Sequence, residues 1–188
     1  MIVAIDTSSL LSLVRYYLPF DTNNVLFNLI KLKIENKEII ILDKVFDECS
    51  YTAKGIVIDK LEYLKLKKNQ VNTTDLLPSS KFFRLVENNF INGSAKNVLS
   101  PVEFENRKNS FLESADVKLL LYSLENQSDG VIIVSEETET NNDNKAFKKL
   151  PWICKYLKLE IITLPELFEK YPEISLEFNN INLQLKFD

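Results

Sequence analysis

Histidine is absent from the 188-residue chain. That excludes the Ser-His-Asp triad, the Cys-His pair and His-ligated zinc. Hydrolytic chemistry would have to come from carboxylates, hydroxyls, lysines or a metal held by oxygen. Glycine is also scarce, at three residues (Gly55, Gly93 and Gly130). Neither G-x-G-x-x-G nor G-x-x-x-x-G-K-[ST] occurs, so the chain has no dinucleotide or Walker-type phosphate cradle. The two cysteines, Cys49 and Cys154, lack CxxC spacing and read as small buried apolar residues of a reduced, cytoplasmic protein. No apolar run approaches the ~20 residues of a membrane span. The opening Met1–Ile5 is too short for a signal peptide, so no membrane partner is expected. With 27 Asp+Glu against 23 Lys+Arg, the net charge of -4 gives no global attraction to nucleic acid; any such surface must be local.

The chain does have an ordinary globular balance, 45% hydrophobic and 27% charged, over a length that suits one domain. Four short runs rich in β-branched residues read as buried strands: Ile2–Asp6, Glu38–Leu42, Val131–Ser135 and Glu160–Thr163. Their lack of alternation suits a parallel sheet covered on both faces. Helical patterns separate them. They lie at Leu10–Tyr17, Asn24–Asn36, Asp43 (as N-cap) to Ala53, Leu61–Lys68, Ser80–Phe90, Ser114–Leu124 with Ser114 as cap, Trp152–Leu159 and Pro165–Tyr171. The expected architecture is a three-layer α/β/α sandwich around a central parallel sheet. It would span residues 1–170, with a helical insertion around 55–101. From 171 to 188 a β-rich tail is expected, because Ile174–Phe187 alternates in two pieces broken at Asn179 and Asn180. Such a tail could form a hairpin or pair with a second copy of the chain.

In an open parallel sheet, ligands bind beyond the carboxyl ends of the strands. Asp6, Thr7, Ser8 and Ser9 follow the first strand, and Ser135, Glu136 and Glu137 follow the third. Two helical acids could join them: Glu48, with Asp47 as a neighbouring rival, and Asp116 in the first turn of the Ser114 helix. Each has a plainer reading. Asp6 could be a helix cap, Asp116 could be a charge favoured by the helix dipole, and Glu48 could lie on a solvated face. Taken together, converging carboxylates would repel one another unless a cation neutralised them, and an all-oxygen ligand set suits Mg²⁺ or Mn²⁺.

The same segments resemble PIN domains in order and spacing over roughly Met1 to Lys170. Ile2–Leu11 is similar to the family's opening strand and acid. Val45–Glu48 resembles the helix carrying the second acid, and Glu113–Leu121 the helix carrying the third. Val131–Glu137 resembles the strand leading to the last acid, with Glu137 where aspartate is usual and Glu136 beside it. The resemblance implies a metal-dependent endoribonuclease acting on RNA, as in the toxin half of toxin–antitoxin pairs. Asp6, Glu48, Asp116 and Glu137 would hold Mg²⁺ or Mn²⁺, and Ser8 and Ser135 would orient ligands or water. The implied partners are single-stranded RNA, an antitoxin protein and a second copy of the chain. The alternative is a PIN-like fold without catalysis that serves as a binding or scaffold protein.

Two lysine groups are candidates for contact with RNA: Lys60, Lys65, Lys67 and Lys68, and then Lys145, Lys148 and Lys149. Tyr63, Phe82 and Phe83 are candidates for base stacking. The plainer reading is a solvated lysine face over core aromatics. A haloacid-dehalogenase-type site would need a second Asp where Ser8 stands, and a receiver domain would need an acidic pair where only Asp6 is available.

Overall fold

The computed structural model describes residues 1–139 and 145–174. Five strands build the central sheet: β1 (Ile2–Ile5), β2 (Ile39–Leu42), β3 (Gln70–Val71), β4 (Val131–Val134) and β5 (Ile161–Ile162). Their order is β3-β2-β1-β4-β5 and every pairing is parallel. Successive strand residues point to opposite faces, yet β2 and β4 are buried at every position and β1 from Val3 onward. Unbroken burial means helices cover both faces, the three-layer sandwich expected from the β-branched runs.

The chain fills one half of the sheet, from β1 outward through β2 to β3. It then returns past β1 to add β4 and β5. The reversal falls between β1 and β4, the topological switch point at which ligands bind in doubly wound sheets. Register pairs Ile5 with Val134, so Asp6 and Ser135 emerge side by side at the carboxyl end. The Asp6 amide continues the ladder, donating to the Val134 carbonyl at 2.9 Å.

Ten α-helices surround the sheet among the described residues: α1 (Thr7–Ser12), α2 (Val25–Glu35), α3 (Asp43–Tyr51), α4 (Ile56–Lys60), α5 (Ser80–Asn88), α6 (Gly93–Lys96), α7 (Pro101–Leu112), α8 (Ala115–Glu125), α9 (Leu150–Leu157) and α10 (Leu164–Glu169). Ser114 caps α8 as expected, accepting from the Val117 amide at 3.3 Å. Between α3 and α4 the chain turns through three successive left-handed residues, Ala53, Lys54 and Gly55 (φ 50°, 61° and 76°). A side chain at Gly55 would also bring its Cβ within 3.0 Å of the Ser50 carbonyl oxygen, so glycine is required there on both counts.

The structure departs from the sequence reading in the middle of the chain. The Leu61–Lys68 stretch is not an α-helix but two short 3₁₀ turns, Glu62–Lys65 and Lys67–Asn69, leading into β3. Leu61 and Leu66 leave the helical region, and two buried amide side chains take the carbonyls. Asn69 Nδ2 donates to Tyr63 O at 2.8 Å and Gln70 Nε2 to Leu64 O at 2.7 Å. The short edge strand β3 is then fastened by Asp43, which accepts from the Thr73 amide at 3.1 Å and the Thr73 hydroxyl at 2.5 Å. Asp43 therefore opens α3 and ties down β3, with Leu42 in the cap position. Helix α7 is a further departure, since the helical patterns read from the sequence do not include it.

Cys49 and Cys154 are free and buried, as expected, and burial pushes both thiols up to about 12. No helix among the described residues is long and apolar enough to cross a membrane. The β-rich tail expected from 171 onward falls outside the described residues beyond 174. Tyr171 to Ile174 form a turn rather than a strand, with the Tyr171 ring 4.3 Å beneath the Lys33 ammonium.

Candidate active site

Asp6 leaves β1 and immediately caps α1, its Oδ1 accepting the Thr7 amide at 2.7 Å. The plainer reading of Asp6 as a helix cap is therefore correct, with Oδ2 also accepting the Ser8 amide at 3.4 Å, but capping is not all the carboxylate does. Oδ2 accepts two hydroxyls, from Ser8 at 2.6 Å and Ser135 at 2.9 Å. Each serine oxygen accepts in turn a backbone amide from the segment after β4. Glu136 N donates to Ser8 Oγ at 3.0 Å and Glu137 N to Ser135 Oγ at 3.2 Å. Two amides thus direct two hydroxyls onto one carboxylate oxygen. Asp6 is 4% exposed, so its orientation is set by the protein rather than by solvent.

Thr7 extends the network to α3. Its backbone amide serves Asp6, while its hydroxyl donates to Glu48 Oε2 at 3.0 Å. Burial raises the Glu48 carboxyl above the ordinary range against the Thr7 hydrogen bond, with the charges of Asp6 and Glu137 adding to the rise. Asp47 is exposed and outside this network. Thr7 is a site residue to which the sequence reading assigns no role; its position directly after a strand-ending acid is the signal that points to it.

Glu136 and Glu137 go different ways. Glu136 Oε1 accepts the Leu164 amide at 2.6 Å, joining the end of β4 to the start of α10. Glu137 Oε1 lies 4.0 Å from the Lys145 ammonium. Its Oε2 is buried with no hydrogen-bond partner among the described residues, a costly arrangement for a carboxylate oxygen unless something neutralises it.

Asp116 stands in the first turn of α8. Burial, followed by the negative charges of Asp6, Glu137 and Glu48, pushes its carboxyl from 3.8 up to about 8, with Lys145 opposing the rise. The four acids singled out in the sequence therefore act on one another electrostatically at the carboxyl end of the sheet. Among the described residues, however, no group of three His, Cys, Asp or Glu is gathered closely enough to hold a metal ion as it stands.

Asp116 also lines a groove of about 440 Å³ whose walls are α7 and the segment 145–149. Lys145, Lys148 and Lys149 all border it, together with Arg107. The other lysine group lies elsewhere. Lys67 and Lys68 immediately precede β3, and the Lys37 ammonium reaches the Lys68 carbonyl, which places them at the amino ends of the strands. Two of the three expected stacking aromatics are core residues, Tyr63 at 7% and Phe82 at 3% exposure, and only Phe83 is exposed. Their apolar neighbours claimed them, as the plainer reading held.

The fold and this crevice define the class: a doubly wound α/β sandwich with a hydrogen-bonded carboxylate cluster at its switch point. Over residues 3–173 the chain matches the family described as Domain of unknown function (DUF4411), and it belongs to that family. No curated protein and no solved structure matches it.

Proposed function

We propose that the chain is a metal-dependent endoribonuclease that hydrolyses phosphodiesters of single-stranded RNA. The observation that carries this reading is the gathering of Asp6, Glu48, Asp116 and Glu137 at the carboxyl end of the sheet, where burial first and then the neighbouring negative charges push the Asp116 carboxyl up to about 8. Buried like charges of this kind favour a cation between them. The donors also suit one: every candidate ligand atom is oxygen, and Glu137 Oε2 is buried without a partner among the described residues, as Mg²⁺ or Mn²⁺ would require. The ion would be held by Asp6, Asp116 and Glu137, with Glu48 tethered through Thr7. What such an ion supplies when bound is neutralisation of charge developing at phosphorus and acidification of water.

The protein's own residues supply position. Ser8 and Ser135 hold Asp6 in one orientation, a role closer to fixing the acid than to touching substrate. The backbone of Glu136 and Glu137 fixes those serines, so hydrogen bonds join the segment after β4 to the start of α1. In this reading the Lys145 ammonium, 4.0 Å from Glu137 Oε1, would contact a phosphate of the substrate. The resemblance to PIN domains supports the same assignment, and the toxin and antitoxin reading rests on that resemblance alone. The Lys145–Glu137 pairing favours a second reading: a lysine that stands in for the ion in a non-catalytic binding protein.

Mn²⁺-dependent cleavage of a single-stranded RNA by wild type and by Asp6→Asn tests the proposal. Cleavage that falls at least a hundredfold in Asp6→Asn supports it. Equal cleavage by the two proteins places the chemistry elsewhere, and neither cleavage nor Mn²⁺ binding by wild type favours the non-catalytic reading.

A further inference from the structure

The groove beside Asp116 is built from two walls that the fold holds apart. One wall is α7, opened by a Ser100–Glu103 capping box and tied to α5 by Lys108, whose ammonium reaches Glu87 and Glu105 at 2.8 Å each. The other is the 145–149 segment, fastened along its length to the chain after α5. Asn92 N donates to Ala146 O at 2.8 Å, Lys148 N to Phe90 O at 2.6 Å, and Phe147 makes an antiparallel bridge with Ile91.

The charge of the groove opposes that of the molecule. The chain carries a net charge of -4, yet the groove is bordered by Arg107, Lys145, Lys148 and Lys149 and by one acid, Asp116. Its floor is aromatic. Phe111 and Phe147 stack at 4.4 Å with an interplanar angle of 9°, and Phe104 packs against Phe147 at 6.3 Å, tilted by 35°. Phe111 is the half-buried member of that stacked pair. On α7, Arg107, Ser110 and Phe111 lie at i, i+3 and i+4, one face of the helix, and all three line the groove.

We infer that this groove is the track for a single-stranded RNA, with Arg107 and Lys148 on opposite walls taking the phosphates and Phe111 stacking an unpaired base as the strand runs to Asp116. The inference rests on the nuclease reading above, since it supplies the strand that the acids would cut. Cationic walls select a polyanion, and the Phe111–Phe147 stack is reached most readily by a base free of its pairing partner.

Fluorescence anisotropy of a labelled 12-nucleotide RNA, measured in EDTA so that no cleavage occurs, tests the track independently of catalysis. Arg107→Ala/Lys148→Ala is expected to weaken binding about tenfold and to reduce the slope of log Kd against log salt by about 1.4, or ~0.7 for each phosphate of a single strand left without its cation. Phe111→Leu, which keeps an apolar side chain at the position, is expected to weaken binding at least fivefold. The same RNA annealed to its complement should bind at least tenfold more weakly. Binding unchanged in both variants, or as tight to the duplex, overturns the track. If Asp6→Asn loses cleavage while the groove variants bind normally, the track fails and the nuclease reading stands. If wild type binds through the groove but never cleaves, the track stands and the nuclease reading fails.

Discussion

The stability of the metal-free chain is expected to fall as pH rises from 5 to 7, and a divalent cation should reverse the trend. The Asp116 carboxyl titrates at about 8 when folded, against 3.8 as an ordinary side chain. Between those values the folded state holds a proton that the unfolded state has released, so unfolding becomes easier with each pH unit. The destabilisation is absent below the unfolded pKa and complete above the folded one. One proton corresponds to about 1.4 kcal/mol per pH unit, or up to about 3 kcal/mol across pH 5–7. Glu48, also raised, contributes in the same direction.

The window is open because the chain has no histidine to titrate within it. The lowered carboxyls of Glu38, Glu87, Glu103 and Glu166 act oppositely, and only at lower pH: their stabilisation is present above 4.5 and lost as pH falls through their folded values. For a chain of this size, about 3 kcal/mol corresponds to roughly 6–12 °C in Tm. Thermal melts in EDTA at pH 5, 6 and 7 read the effect directly. Asp116→Asn should flatten the profile, and millimolar Mn²⁺ should raise Tm more at pH 7 than at pH 5. A wild-type Tm that stays level or rises between pH 5 and 7, or an equal slope in Asp116→Asn, would refute the reasoning.

Three further outcomes follow from the hydrogen-bond geometry. Glu137→Gln should lower metal-dependent cleavage at least tenfold, whereas Glu136→Gln, whose amide oxygen can still accept from Leu164, should leave it within about twofold; rate measurements on both variants separate the neighbours. Ser135→Ala removes one donor from Asp6 and the acceptor of the Glu137 amide. It should cost about 1–3 kcal/mol in chemical denaturation and weaken Mn²⁺ binding roughly 10–100-fold by calorimetry, as removal of a ligand's supporting hydrogen bond does. Asp43→Ala leaves the buried amide and hydroxyl of Thr73 without their acceptor; about 2–4 kcal/mol of stability should be lost, with cleavage at saturating Mn²⁺ nearly unchanged because β3 lies at the sheet edge away from Asp6.

The sequence by itself determined the sandwich and its longest hydrophobic commitments. Runs such as Ile39–Leu42 and Val131–Val134 carry no polar face, and only a parallel sheet covered on both sides hides such a strand. Total absence of histidine likewise narrows the chemistry to oxygen donors. Helix α7 has a local signal too, the Ser100–Glu103 capping box, although its few apolar residues give the helix little periodicity to read.

Tertiary structure decided the rest, because the deciding contacts join residues far apart in the chain. The two-residue strand β3 is too short to show a period, and it exists because Asp43 fastens Thr73 thirty positions away. Nothing local distinguishes Glu48 from Asp47 or Glu137 from Glu136. Thr7 brings Glu48 into the network, and the Leu164 amide draws Glu136 out of it. The lysines tell the same story. Lys67 and Lys68 are the same residue type as Lys148 and Lys149, but winding order carries one pair to the amino ends of the strands and the other to the groove beside Asp116. Side-chain chemistry is written residue by residue, whereas which charges share a cavity depends on how the sheet is wound.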